Sequence, residues 1–256
     1  MNAFFYFVGI TSLKVLYGVA TLFNPKARAF RQGRAEQVSR LRSTFPLPGN
    51  PTLVWFHCAS LGEFEQGRPV MEALKQWRPD LKLLLTFFSP SGYEVRKNYP
   101  HADYIFYLPW DTSENARWFA DQVRPTLVVF VKYEFWLHYS QALHRKNIPL
   151  ISISAIFRSS QVYFKWHGSL FRNILKNFSW FFVQDEPSVS LLHSIGISNV
   201  KVAGDTRFDR VYHIAQHQEN FPLASQFVQE NPVMVIGSAW PADLDVLTPF
   251  INSHPA

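Results

Sequence analysis

LVWFHCASLGEFEQGR, residues 53–68, decides the fold. Its first four residues form an apolar run with the character of a buried strand. Small residues follow, Ala59, Ser60 and Gly62, then Glu63, and residues 64–77 read as a helix. Strand, tight turn and helix start in succession place the free backbone N–H groups of the helix at the carboxyl edge of a sheet, where open α/β sheets bind ligands. Glu63 sits at the mouth of such a crevice, beside N–H groups that favour its ionised form. A carboxylate there either complements the helix dipole or takes a proton from an incoming hydroxyl.

Downstream, the same alternation continues. Strands are expected at residues 81–87, 104–108, 126–131, 150–153, 180–183 and 199–203, and helices at 112–123, 134–146, 164–175 and 187–195. A short helix following Ser89-Pro90-Ser91-Gly92 runs to Asn98. This rhythm specifies an α/β fold with a Rossmann-like, doubly wound parallel sheet. Residues 208–230 are more polar and read as a helical connection; residues 232–236 start a further strand, with a helix from about Pro241.

Ahead of the sheet, Ala3–Phe23 is apolar or neutral apart from Lys14. As a helix it is ~31 Å long, close to the thickness of a bilayer core. Lys14 is costly for a lipid-facing span, so a helix lying in the interface or docked on the protein is the competing reading. Residues 25–45 form a second helix with Lys26, Arg28, Arg31, Arg34, Arg40 and Arg42 against Glu36 alone. Positive charge after an apolar span keeps that side in the cytoplasm. Arg31 and Arg34 are therefore expected to contact anionic headgroups or phosphates. Pro46, Pro48, Gly49 and Pro51 end this helix.

The formal charge of +6 favours anionic partners. Because that charge is concentrated beside an apolar anchor, lipid is a better partner than nucleic acid. The single cysteine, Cys58, excludes an internal disulfide and reads as a small core residue. The nine histidines lack ligand spacing, and there is no P-loop, no GxGxxG and no GxSxG. No metal or cofactor is expected. Site candidates instead gather in turns at strand ends: Ser60, Gly62 and Glu63; Ser89, Ser91 and Gly92; Lys132 and Glu134. Glu134 admits a plain helix-start reading and Trp136 a core one. Gly204-Asp205-Thr206-Arg207-Phe208-Asp209 reads as a turn closed by Arg–Asp pairs. Asp243-Leu244-Asp245 falls near a helix start, where residues two apart face different directions.

Five stretches in order carry a family likeness: His57-Cys58-Ala59-Ser60-Leu61-Gly62-Glu63; Thr86 with Ser89-Pro90-Ser91-Gly92-Tyr93; Tyr107-Leu108-Pro109-Trp110-Asp111; Lys132-Tyr133-Glu134-Phe135-Trp136; and residues 204–209. Behind an N-terminal anchor they resemble the 3-deoxy-D-manno-octulosonic acid (Kdo) transferases of lipopolysaccharide assembly, and specifically the acceptor half of these two-domain GT-B glycosyltransferases. The resemblance implies an inverting, metal-independent transfer of Kdo from CMP-Kdo to lipid IVA, the tetraacyl glucosamine disaccharide bisphosphate precursor of lipid A, at the cytoplasmic face of the inner membrane. Glu63 matches the family's general base and Glu134 its second acid, which helps hold acceptor or donor sugar. Residues 235–245, VIGSAWPADLD, are similar to the family's first donor-domain motif, GSTHPGE, with Ala239 and Trp240 where threonine and histidine are usual and Asp243 in place of glutamate. Ser154-Ala155-Ile156 stands where the family has an asparagine-alanine-arginine stretch.

The organisation expected is an anchor helix (1–23), a basic helix and linker (24–50), an acceptor-binding domain (51–212), an interdomain linker (213–231) and the start of a truncated donor-binding domain (232–256). The alternative is a membrane-bound lipid A precursor binding module without chemistry.

Overall fold

A computed structural model describes residues 3–216, 221–228 and 233–253, which fall into two units divided between Tyr212 and His213. The first unit is built on seven strands, β1 (Leu53–Cys58), β2 (Lys82–Phe87), β3 (Tyr104–Tyr107), β4 (Leu127–Val131), β5 (Leu150–Ala155), β6 (Trp180–Val183) and β7 (Val200–Val202). All neighbours pair in parallel, in the order β3-β2-β1-β4-β5-β6-β7. The chain starts in the middle of the sheet, runs outward to β3, then crosses back to β4 on the other side of β1. Connections leave β1 and β4 in opposite directions, which makes their carboxyl ends the switch point at which open α/β sheets take ligands.

Eight helices accompany the strands: α1 (Ala3–Phe23), α2 (Pro25–Thr44), α3 (Leu61–Trp77), α4 (Pro90–Arg96), α5 (Ser113–Trp118), α6 (Leu137–Arg145), α7 (Ser169–Leu175) and α8 (Glu186–Ser194). α9 (Thr206–Gln216) begins in the first unit and runs into the second.

All six residues of β1 are buried, because helices cover both faces of the sheet; this is why the strand reads as a continuous apolar run rather than an alternation. Side chains still alternate. Leu53 and Trp55 enter one core, with Leu41, Phe119, Tyr139 and Leu143; Val54, Phe56 and Cys58 enter the other, with Phe64, Met71 and Tyr93. Burial pushes the Cys58 thiol well up, which suits the expected core role. Two polar residues interrupt the central strands: His57 and Thr86 are partners in the β1–β2 register and both are fully buried.

Three helix expectations are corrected within the sheet domain; of residues 164–175, only Ser169–Leu175 form the helix, after a 3-10 turn at Val162–Phe164. The helix expected over 112–123 is α5 followed by one π turn, Phe119–Val123, closed by Arg124 with φ 47°. The helix expected from residue 134 begins at Leu137. Lys132 takes φ 69° and residues 132–136 stay extended or turned, so Glu134 stands ahead of α6 and not in its first turn.

α1 docks on the sheet domain. The Tyr6 hydroxyl donates to Asp111 Oδ2 (2.5 Å) and accepts from Leu137 N (3.3 Å), while Tyr17 packs on Phe30 and Trp110. The Asp111 carboxylate also accepts from His138 N (3.0 Å) and Tyr139 N (2.9 Å), so it caps α6 from a distant loop. Phe7, Val15, Leu16, Val19, Leu22 and Phe23 remain exposed, and Tyr6–Phe23 is long and apolar enough to cross a membrane.

The second unit contains the end of α9, α10 (Pro222–Val228) and α11 (Pro241–Ser253). Of residues 232–236, expected as strand, Pro232 lies outside the described residues and residues 233–236 form none. Val233, Met234, Val235 and Ile236 are exposed with no neighbouring strand to bond among the described residues, and a strand without a ladder has no partner for its N–H and C=O groups.

Candidate active site at the β1–β4 crevice

Glu63 lies in the first turn of α3, half-buried. Its Oε2 accepts from the Ser60 N–H (2.7 Å) and from the Ser60 hydroxyl (3.1 Å), the reach-back half of a capping box. Both bonds fall on one oxygen, and Oε1 accepts none from the described residues. Burial, then the negative charge of Glu134, push the Glu63 carboxyl above its ordinary value; the Ser60 bonds and His57 pull the other way. A carboxylate that is fixed by one oxygen and raised in proton affinity is a better base than a solvated one. Gly62, exposed beside it, contributes no side chain to screen the turn.

Glu134 is 8% exposed. Its Oε2 lies 3.2 Å from His57 Nε2 and accepts from Trp136 Nε1 (2.7 Å). His57 in turn contacts Thr86 through Nδ1, 2.9 Å from Oγ1 and 3.1 Å from the carbonyl oxygen. The two acids thus stand at the ends of the two strands that bound the crevice, each held by a single oxygen.

Residues 89–92 form the adjoining wall. Ser89 N donates to Ala59 O (2.6 Å), and the Ser89 hydroxyl accepts from Ser91 N (3.3 Å) as the cap of α4. Ser91 is exposed and Ser89 half-buried. Gly92, expected among substrate contacts, is buried instead. A Cβ there would stand 2.3 Å from Phe87 Cδ1 and 3.1 Å from the Ser60 carbonyl carbon, so its bareness lets α4 approach the Ser60–Glu63 turn. Lys132 is half-buried, with its ammonium 5.5 Å from the Tyr133 ring centroid.

The two arginines separate. Arg31 is exposed, whereas Arg34 is 5% exposed and is no surface phosphate contact. Its guanidinium donates to Leu108 O and to Phe88 O (2.7 Å), carbonyls at the ends of β3 and β2, and lies over the rings of Phe30, Phe88, Tyr107 and Trp110. Burial lowers its pKa to about 10, so it stays charged at neutral pH. Helical spacing explains the split: Arg34 falls on the same side of α2 as Phe30 and Leu41, both buried.

A cavity of about 420 Å3 opens between α1, α2 and the loop after β3, lined by Lys14, Tyr17, Phe30, Arg31, Arg34 and Trp110 among others. Lys14, costly on a lipid-facing helix, borders this cavity. Rings continue from it toward Glu134: Trp110 packs on Phe88 (centroids 5.4 Å) and Phe88 on Trp136 (5.2 Å). At the far side of the sheet edge, Thr206 Oγ1 donates to Gln66 O (2.5 Å) and Gln66 Nε2 to Asp205 Oδ1 (3.1 Å). Arg207 pairs with Asp205; burial alone raises the Asp205 carboxyl, but the hydrogen bonds from Arg207 and Gln66 outweigh it and hold it at about 2. Among the described residues, no three of His, Cys, Asp and Glu converge as a metal ion requires.

Sequence reasoning left His57, Thr86, Asp111 and Tyr6 without roles. The available signal was a polar residue inside an apolar central strand, at His57 and again at its register partner Thr86. Nothing local marks Asp111 or Tyr6, whose partners lie 105 positions apart.

The matching solved structures share the architecture. A UDP-N-acetylglucosamine 2-epimerase from Neisseria meningitidis superposes with a TM-score of 0.51 at 20% identity, over 72% of this chain and 53% of its own. One from Rickettsia bellii gives 0.52 at 13%, over 69% and 51%. These likenesses concern the fold. Among curated sequences, the 3-deoxy-D-manno-octulosonic acid transferases of Rickettsia felis (25% identity; 89% of this chain, 50% of the relative), Haemophilus influenzae (25%; 92% and 55%) and Chlamydia pneumoniae (27%; 80% and 49%) align along most of the chain. The chain spans about half the length of these relatives. The family model for 3-deoxy-D-manno-octulosonic-acid transferase (kdotransferase) matches residues 30–210, from the basic helix through the last strand to the start of α9. The chain belongs to the 3-deoxy-D-manno-octulosonic-acid transferase family.

Proposed function

We propose that this chain is the acceptor-binding half of a membrane-associated glycosyltransferase that moves Kdo from CMP-Kdo to a hydroxyl of lipid IVA, with inversion and with Glu63 as general base. The observation that carries the reading is the placement of Glu63 and Glu134 after the carboxyl ends of the adjacent strands β1 and β4, near enough for the charge of Glu134 to act on Glu63, in a chain of this family. In the transfer, the acceptor oxygen bonds to the anomeric carbon of Kdo, the bond from that carbon to the CMP phosphate oxygen breaks, and the acceptor proton passes to Glu63 as CMP departs. The base has to sit within hydrogen-bond reach of the hydroxyl, and the unengaged Oε1 is the oxygen that takes the proton. Glu134 accepts from a neighbouring sugar hydroxyl through its own Oε1. The ring wall from Trp136 to Trp110 carries the acceptor's body toward Lys14 and Arg31, whose charges match its phosphates. The exposed apolar face of α1 rests in the cytoplasmic leaflet of the inner membrane.

Membranes containing the protein, supplied with CMP-Kdo and the tetraacyl bisphosphate acceptor, test this. Kdo–lipid is expected from the natural protein and none from Glu63→Ala of unchanged thermal stability; near-normal turnover in that variant removes Glu63 from the mechanism. Binding to acceptor-loaded vesicles with no transfer under the same conditions would instead support acceptor binding without chemistry.

A further inference from the structure

His57 is fully buried in the central strand, in contact with two polar partners and no solvent. Its protonation pattern follows from its neighbours. Trp55 Nε1–H can only donate, and it donates to Thr86 Oγ1 at 2.7 Å. The Thr86 hydroxyl therefore accepts from Trp55 and has one proton left to give. It can reach Phe56 O at 3.4 Å or His57 Nδ1 at 2.9 Å, and the shorter contact is the better bond. With Nδ1 accepting, the ring proton sits on Nε2 and donates to Glu134 Oε2 at 3.2 Å. The opposite tautomer would satisfy Thr86 O but would face a bare Nε2 lone pair against a carboxylate in a buried site. Bonds to an ionised acceptor are roughly twice as strong as neutral ones, so the Glu134 contact decides.

We infer that His57 is a positioning residue. The chain Trp55 to Thr86 to His57 to Glu134 fixes the Nε2–H tautomer, which with Trp136 pins Glu134 by Oε2 and keeps Oε1 available to substrate. Its effect on turnover rests on the function proposed above; its hold on Glu134 does not.

Two measurements separate these. In the 15N-histidine-labelled chain, with His57 assigned by its loss in His57→Gln, long-range proton–nitrogen spectra are expected to show Nε2 protonated and Nδ1 bare, and Glu134→Ala to move the Nε2 resonance. An Nδ1–H ring, a doubly protonated ring, or no response to Glu134→Ala overturns the inference whether or not the protein transfers sugar. The second measurement uses amide geometry. The nitrogen of Gln reaches the place of Nε2, whereas that of Asn reaches only the place of Nδ1. With both variants folded, His57→Gln should keep turnover within about 10-fold and His57→Asn lose roughly 100-fold, the scale set by an ångström-level displacement of a site group. Equal losses in the two variants, tracking equal losses of thermal stability, make His57 merely structural.

Discussion

Arg34→Met separates the role its sequence position implies from the role its surroundings impose. The methionine keeps an apolar stem and deletes the guanidinium. Leu108 O and Phe88 O then lose the only donors that reach them among the described residues. Leu108 is 1% exposed, so its carbonyl has no access to water, while the half-buried Phe88 recovers part of its loss. An unpaired buried acceptor costs about 1–3 kcal/mol. Loss of the cation from the four rings around it adds about 1–2 kcal/mol. Against this, the variant no longer withholds a charge from water, a cost visible in the pKa lowered to about 10. The net expectation is a loss of about 3 kcal/mol, on the scale of removing one side of a buried charged contact.

For a domain of this size that lowers Tm by roughly 6–12 °C, read by circular dichroism. Arg31→Ala is the control. It is exposed, so its stability should stay within about 0.5 kcal/mol of the parent while binding to anionic vesicles weakens. If Arg34→Met keeps its Tm within ~2 °C, a change under about 1 kcal/mol, and loses vesicle binding as Arg31→Ala does, the guanidinium faces lipid and the reasoning fails.

Three further outcomes follow from the same geometry. Gly92→Ala forces a methyl against the buried Phe87 ring and the Ser60 backbone and should cost ~1–3 kcal/mol in urea unfolding, with Phe87→Leu recovering part of it in the double variant; additive losses would refute the clash. Glu63→Gln removes a carboxyl whose folded-state pKa is raised above 4.5, a group that favours folding below its unfolded pKa and loses that contribution as pH rises through its folded one. The variant's Tm relative to the parent should therefore improve from pH 4 to pH 8, and a flat difference sinks the assignment. Tyr6→Phe deletes the hydroxyl shared by Asp111 and Leu137 N and should expose α1 to limited proteolysis while the sheet domain survives; cleavage at the parental rate would show that the hydroxyl does not hold the helix.

The order of strands and helices was legible because each strand is a short, largely apolar run entered within two residues of a Pro, Ser or Asp, and parallel strands covered on both faces need such runs. What the residues could not show locally was decided by distant partners. Lys132 adopts a left-handed conformation that delays α6 past Glu134, although residues 134–146 have a helical pattern. Arg34 belongs to a basic run; its spacing puts it on the buried side of α2, but the carbonyls at the ends of β2 and β3 and the rings that receive its charge lie far off in sequence. Met234 to Ile236 read as a strand by composition, yet a strand exists only where another lies beside it.

Four of the buried polar residues, His57, Thr86, Asp111 and Glu134, gather around the approach to α6. His57 and Thr86 sit in β1 and β2 and serve Glu134, which precedes α6. Asp111, after β3, serves the first turn of α6 and takes its third partner from α1. Tyr6 of α1 and Asp111 are therefore fastened to the first residues of α6, Leu137, His138 and Tyr139, while Glu134, three residues ahead of that start, is held separately by His57 and Trp136. A displacement of α1 would loosen the cap of α6 before it reached any strand, because the strands are tied by backbone ladders and the cap by side chains alone. The Asp111 carboxylate thus ties α1, through Tyr6, to the backbone of the first turn of α6.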